Sequence, residues 1–319
     1  MFRIGILGAA DIAYNKFMPA LDKIEGAKCA GVASNTPEKL NKFIQNYAVK
    51  TYPSYDAVIA DGNVDCVYIP LPPAFHYEWA KKALLAGKHV FLEKPSTTCA
   101  AHTRELAGLA AERGLVLQEN YMFQYHAQLK AIRGIIDSGE LGKVRLYRTS
   151  FGFPRRPGRD FRYIKELGGG TMLDNGGYTV KLAGILLGDS IRLTASHLDY
   201  DEQTGVDIFG SAEFVNDEGV AVQAAFGMDC QYQCSLEVWG SLGRLTTGRI
   251  YTAPAGLKVS AVIENGSGSR EIELPGDDHF VRSIECFMRA VTEEGLRREL
   301  AQGCIKQAEL VEAIKEYGN

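Results

Sequence analysis

Within its first 120 residues the chain switches repeatedly between two apolar periods, and this alternation restricts the fold more than any other feature. Phe2–Leu7 is a β-rich run ending at Gly8, followed by Phe17, Met18, Leu21 and Ile24 at helical spacing. Strand-like runs recur at 29–34, 64–70, 89–92 and 115–118. Helical segments lie between them, opening at Thr36-Pro37-Glu38, spanning 76–86 with Gly87 as C-cap, and spanning 101–113 before Gly114. Strands and helices that alternate in this way build right-handed βαβ units around a parallel sheet. Ligands of such sheets lie beyond the carboxyl ends of the strands. Here those ends are 8–13, 34–36, 70–73, 93–95 and 119–121.

After residue 121 the texture changes. A strand at 146–153 and a helix at 170–187 precede strand candidates at 206–215, 220–226, 234–239, 245–250, 257–263 and 270–274. Asn216-Asp217-Glu218-Gly219 and Asn265-Gly266-Ser267-Gly268 read as hairpin turns, and helices at 279–292 and 298–317 close the sequence. The expectation is an α/β Rossmann domain over 1–120 and an α+β domain over 121–319 with a mostly antiparallel open sheet, the second serving substrate binding and oligomerisation.

Composition narrows the functional classes. At 46% hydrophobic and 23% charged residues the chain can bury a sizeable core. A net charge of −4 argues against a general nucleic-acid binder. No run reaches the roughly 18 apolar residues of a membrane helix, and the start lacks a secretory pattern, so a cytoplasmic protein is expected. Seven cysteines without regular spacing do not form a disulfide framework, and no metal site is expected.

Three segments carry chemistry. Gly8-Ala9-Ala10-Asp11-Ile12-Ala13, between a strand and a helix, approximates the dinucleotide fingerprint, with Ala10 at the middle glycine. Small residues there let backbone approach a pyrophosphate at a helix N-terminus. The second strand ends in Ser34-Asn35-Thr36, without the acid that binds an NAD ribose, and Lys39 follows one turn on, which favours NADP over NAD. Ser34 and Thr36 equally suit a helix cap. Glu93-Lys94-Pro95 follows the fourth strand, where Lys94 lies at a ligand-facing end and the Lys94–Pro95 bond is a candidate cis peptide. In Gly168-Gly169-Gly170-Thr171-Met172-Leu173-Asp174-Asn175-Gly176-Gly177-Tyr178, Asp174 and Tyr178 are four apart on one helical face that next presents Leu182 and Leu186. Two polar groups on an apolar stripe either satisfy each other or face a cavity.

Together these motifs resemble the Gfo/Idh/MocA (glucose–fructose oxidoreductase-like) family over essentially the whole chain. Leu71-Pro72-Pro73-Ala74-Phe75-His76 is similar to its TPxxxH-type segment with Leu71 in place of Thr, and Glu119-Asn120-Tyr121 to the segment after the last Rossmann strand. Tyr178 and Phe161-Arg162 resemble the subgroup of sugar 3-ketoreductases and dimeric dihydrodiol dehydrogenase. The resemblance implies a nicotinamide cofactor held by Gly8, Ala10, Asp11, Ile12, Ser34, Asn35, Lys39, Leu71, Pro72, His76, Glu93, Lys94 and Asn120. It implies substrate contacts from Lys94, Tyr121, Tyr125, Arg162, Asp174 and Tyr178.

The chemistry fits these residue types. Nicotinamide carries the hydride, and the protein handles one proton. A tyrosine ordinarily titrates near pH 10. A cationic Lys94 would favour tyrosinate and polarise the carbonyl, with Asp174 orienting Lys94 or binding a sugar hydroxyl. Lys94, Tyr178 and Asp174 are therefore the catalytic candidates. Arg155, Arg156, Arg159 and Arg162 either solvate a loop or bind the phosphates of a nucleotide-linked sugar. His126 is a further pocket candidate or a structural histidine. The expected activity is hydride transfer between NADP (alternatively NAD) and a sugar or nucleotide-linked ketosugar. A non-sugar diol dehydrogenase and a non-catalytic dinucleotide sensor are the alternatives, and a homodimer or homotetramer is the expected assembly.

Overall fold

The computed structural model describes residues 1–157 and 160–317 and forms two compact units. The first comprises 1–120 together with 280–308, and the second 121–279 together with 309–319. After a first cut at Asn120, the chain returns to the first unit through most of the helices His279–Thr292 and Glu294–Tyr317.

In the first unit, β1 (Phe2–Leu7), β2 (Ala27–Ala33), β3 (Cys66–Ile69), β4 (His89–Glu93) and β5 (Leu117–Asn120) form a parallel sheet in the order β2-β1-β3-β4-β5. A lone parallel bridge from Val32 to Thr51 marks a vestigial strand outside β2. With it the order is that of a dinucleotide-binding fold, whose direction reverses between β1 and β3. The central strands β3 and β4 and the strand β5 are buried on both faces, as parallel strands require. Val67, Ile69, Val90, Leu92 and Leu117 pack with helical Ala80, Ala83, Leu84, Leu106 and Ala110 on one side. On the other, Tyr68 stacks on Phe17 at 4.0 Å between ring centroids, and Phe91 meets Phe287 edge-on at 5.2 Å. Phe287 is how the returning helix completes this core.

The second unit holds an eight-stranded sheet: β6 (Val144–Gly152), β7 (Arg192–Tyr200), β8 (Asp207–Val215), β9 (Ala221–Gly227), β10 (Gln233–Gly240), β11 (Gly243–Gly248), β12 (Ser260–Asn265) and β13 (Gly268–Glu273). Its order is β13-β12-β11-β10-β6-β9-β8-β7, antiparallel except for the β6–β9 pair. Both expected hairpins form, with Gly219 and Gly268 at positive φ (76° and 124°). One sheet face buries Tyr147, Phe151, Phe214, Val222, Phe226 and Leu236, and the helix Gly177–Leu187 packs there, chiefly against β9. The opposite face carries Arg148, Ser150, Ser211, Glu213, Gln223, Glu237 and a half-exposed Trp239.

Two helices begin differently from the sequence reading. The helix expected from Gly170 runs through a π turn, Met172–Gly176, before becoming α-helical at Gly177. The first nucleotide-side helix does likewise, with Ala13–Phe17 in π geometry ahead of Met18–Leu21.

Candidate active site

In the first unit, the fingerprint turn requires a glycine at its first position. Gly8 has φ +121°, and a Cβ there would lie 2.8 Å from a Leu71 methyl across the β1/β3 switch point. Its N–H donates to the Ala33 carbonyl, tying the turn to the end of β2. Ala10, Asp11 and Ile12 follow at the start of the helical run. At the end of β2 the Ser34 hydroxyl bonds both the N–H and the carbonyl of Thr36 at 3.1 Å, leaving Asn35 exposed. Thr36 occupies an N-cap position without a side-chain cap bond, so the capping expectation is not met and Ser34 closes a local turn with Thr36 instead.

Lys39 is exposed in the short turn Pro37–Leu40. A second lysine, missed in the sequence, stands beside it: Lys42 Nζ lies 2.5 Å from an Asp11 carboxylate oxygen and 4.7 Å over the Tyr14 ring. The Lys42 hydrogen bond, reinforced by the charges of Lys42 and Lys39, holds the Asp11 carboxyl below its ordinary range. The only sequence signal for Lys42 was its spacing, one turn beyond Lys39 on a helix.

The Glu93-Lys94-Pro95 corner is built on buried polar bonds. The Lys94–Pro95 bond is cis. Glu93 accepts from Tyr68 Oη and Asn120 Nδ2, each at 2.8 Å, and burial raises its carboxyl pKa despite those donors. Asn120 Oδ1 accepts from Ser283 on the returning helix, and Ser96 N–H donates to Glu119. His76 is fully buried, with Nδ1 2.8 Å from the Pro95 carbonyl and Nε2 2.7 Å from that of Leu71. Burial outweighs the two carbonyls, and with Lys94 adding repulsion the imidazole is pushed down to about 4. The two carbonyls each face a ring nitrogen and favour an N–H there, while burial opposes the second proton. Glu93, Asn120 and His76 form the support of the Lys94 corner, with Pro72 opening the turn that leads to His76.

In the second unit, the Gly168–Tyr178 segment is anchored at both ends of its π turn. Asp207 Oδ2 accepts the Met172 N–H, and a Cβ at Gly170 would strike Asp207 Oδ1 at 2.1 Å. Asn175 is buried, donating to the Phe151 and Gly227 carbonyls and accepting from Thr171. A Cβ at Gly177 would lie 2.0 Å from Tyr121 Oη, so that glycine makes room for the tyrosine. Tyr178 is buried in a ring cluster, edge-on to Tyr121 at 5.1 Å, Phe151 at 5.3 Å and Tyr251 at 5.8 Å. Its hydroxyl is 3.5 Å from the Met122 sulfur. Tyr125 closes the short turn Met122–Tyr125, and His126 Nδ1 caps the next helix by accepting from Gln128 N–H, while its buried Nε2 has no hydrogen-bond partner among the described residues.

The arginines are individually engaged. Arg162 Nε donates to Asp174 at 2.6 Å, and its Nη1 reaches both oxygens of Asp160 at 3.1 and 3.2 Å. Arg155 pairs with Asp201 at 2.7 Å and lies over Tyr163, and Arg156 lies over Phe153. Arg159 lies outside the described residues.

Comparison with known proteins defines the class. Residues 2–121 match the oxidoreductase family with an NAD-binding Rossmann fold, and residues 129–246 match the GFO/IDH/MocA C-terminal domain. The chain belongs to this oxidoreductase family, as its sheet order and motifs indicated. A dTDP-3,4-didehydro-2,6-dideoxy-alpha-D-glucose 3-reductase of Streptomyces violaceoruber is 40% identical across 98% of this chain and 94% of its own length. A 3-ketoreductase from Actinomadura kijaniata, crystallised with NADP and TDP-benzene, superposes with a TM-score of 0.95 at 35% identity, covering 99% of this chain and 97% of that one. The mouse trans-1,2-dihydrobenzene-1,2-diol dehydrogenase is 28% identical over 73% of this chain and 68% of its own. The sugar-ketoreductase and diol-dehydrogenase subgroup suggested by Tyr178 is thus the part of the family the chain resembles.

Proposed function

We propose that this protein is an NADPH-dependent reductase of a nucleoside-diphosphate-linked 3-ketosugar. The observation that carries the substrate class is the end-to-end likeness to dTDP-sugar 3-reductases at up to 40% identity. The cofactor reading is supported by the Gly8 cradle, the absence of an acid in Ser34-Asn35-Thr36, and the Lys39–Lys42 cations nearby.

Bound nicotinamide would supply the hydride. Gly8, Ala10, Asp11 and Ile12 would hold the pyrophosphate, and Ser34, Asn35 and Lys39 the adenosine ribose. Leu71, Pro72, His76, Glu93 and Asn120 would shape the remainder of the cofactor groove. Tyr178 would donate the proton to the developing alkoxide, Lys94 would stabilise the developing charge electrostatically, and Asp174 would bind a sugar hydroxyl. Tyr121 and Tyr125 line the sugar side. The diol reading rests on the weaker, partial likeness at 28% identity.

A cytoplasmic location is part of the proposal. All seven thiols are free, which suits a reducing compartment, and among the described residues no helix is long and apolar enough to cross a membrane. We further propose a homo-oligomer paired through the open sheet face, where Trp239 and Leu242 are 48% and 66% exposed beside the Arg148–Glu237 and Arg244–Glu264 pairs.

The test is a product-verified assay. NADPH oxidation should depend on a nucleotide-linked ketosugar and yield one equivalent of reduced sugar. Turnover of free diols without turnover of the nucleotide sugar would favour the other reading.

A further inference from the structure

The Arg162 environment differs from that of a substrate-phosphate ligand. Its guanidinium faces two carboxylates, Asp160 and Asp174. A phosphate dianion brought there would meet both acids at close range. The arginine is also fixed in place. Its side chain is 18% exposed, lies over the Phe161 ring at 4.7 Å, and its backbone N–H donates to Asp160 Oδ1. The Arg162 carbonyl in turn accepts the Gly170 N–H at 2.9 Å, and a Cβ at Gly169 would lie 2.6 Å from that carbonyl oxygen. The glycine run therefore lets the 160–164 turn lie directly on the start of the π turn that carries Asp174.

We propose that Arg162 is a positioning residue that clamps the Asp174 carboxylate, with Asp160 as its counter-ion, and is not a ligand for the substrate phosphates. This rests on the reading above that Asp174 serves the reaction. The 2.6 Å bond from Nε fixes one carboxylate oxygen of Asp174, while the double contact to Asp160 stops the guanidinium from swinging away. Burial opposes the arginine's charge, but the two aspartates more than offset it, so the clamp stays cationic. Asp207, under Gly170 and on the Met172 N–H, is the other acid packed at this turn and holds its far side. A π turn within a helix is a frequent feature of functional sites, and here it is bracketed by the two anchors.

The test uses the full-length enzyme with Arg162→Gln and Arg162→Lys. Without substrate, carboxyl-carbon NMR of aspartate-labelled protein, assigned with Asp174→Asn, reads the Asp174 titration. Arg162→Gln should move that titration to higher pH, because a carboxylate loses its adjacent cation. Arg162→Lys should restore most of the position. In the ketosugar assay both variants should lose kcat, by about 10²-fold for Gln, with KM for the nucleotide sugar held within about threefold, since lysine keeps the charge but not the fork. An unmoved Asp174 titration in both variants, or a KM that rises while kcat is retained, overturns the proposal. Should Arg162→Gln not fold, Arg162→Lys decides alone: its kcat loss at constant KM supports the clamp, and a KM effect refutes it. Because the titration needs no substrate, an error in the substrate class would show as inactive wild-type enzyme with the Asp174 shift intact.

Discussion

Tyr178 is held by three edge-on rings and the Met122 sulfur, so Tyr178→Phe removes one hydroxyl and leaves the packing in place. Kcat is expected to fall at least ~10²-fold, the low end for acid–base catalysis, with the thermal midpoint within a few degrees of wild type. Lys94→Met is expected to cost at least ~10²-fold in rate as well. Near wild-type turnover in either would remove that residue from the mechanism. His76 gives a pH prediction. Its imidazole titrates at about 4 in the folded protein against an ordinary 6.5, so the unfolded chain binds more protons between those values. The stabilisation is complete above pH 6.5 and is lost as pH falls toward 4, amounting to about 3 kcal/mol. Urea unfolding at pH 7 and pH 4.5 should show His76→Gln losing less stability on acidification than wild type. Lys42 extends the cofactor reading: Lys42→Met and Lys39→Met should each weaken NADPH binding about tenfold and leave NADH nearly unchanged, as loss of one phosphate contact implies. Fluorescence titration with both cofactors reads the ratio, and equal weakening for both would place these lysines away from the extra phosphate.

At the scale of elements, the glycines before Tyr178 are spatial requirements. Gly177→Ala would drive a Cβ to 2.0 Å from Tyr121 Oη, and overpacking of this kind costs about 1–3 kcal/mol. Denaturant midpoints should fall accordingly, and kcat should fall with them because the displaced ring touches Tyr178. Much of this architecture was legible in the chain. The β1–Gly8 turn, the parallel strands and both hairpins followed from period and turn chemistry, because each is encoded within ten or so neighbouring residues. The helix Ala127–Asp137 escaped because His126, not a Ser, Thr, Asp or Asn, caps it, and only Gln128 and Ile132 are buried along it. The edge strand Arg192–Tyr200 buries Leu198 alone, so no apolar alternation announces it. The π turn could not be read, since its anchors are supplied from 24, 35 and 52 residues away by Phe151, Asp207 and Gly227. Asp174 and Arg162 were each singled out, while their ion pair and its Asp160 counter-ion were not, because the turn that joins them has no apolar period.

For the whole molecule, the net charge of −4 conceals an arrangement in which the Arg155 and Arg162 side chains are committed to aspartates. Oligomerisation through the open sheet face predicts that Trp239→Glu with Leu242→Ser gives a lower sedimentation coefficient at micromolar concentration, with unchanged helix and strand content. A variant that sediments like wild type would locate pairing elsewhere. The central claim is hydride transfer from NADPH to a ketone of a nucleotide-linked sugar. Its most direct test is to incubate the protein with NADPH deuterated at the transferable position and a dTDP-linked 3-ketosugar, and to read the product by NMR. One deuterium is expected on the carbon that bore the ketone, with NADPH consumed in equal amount. A sugar recovered unreduced and unlabelled, while wild-type protein still binds NADPH, would contradict it.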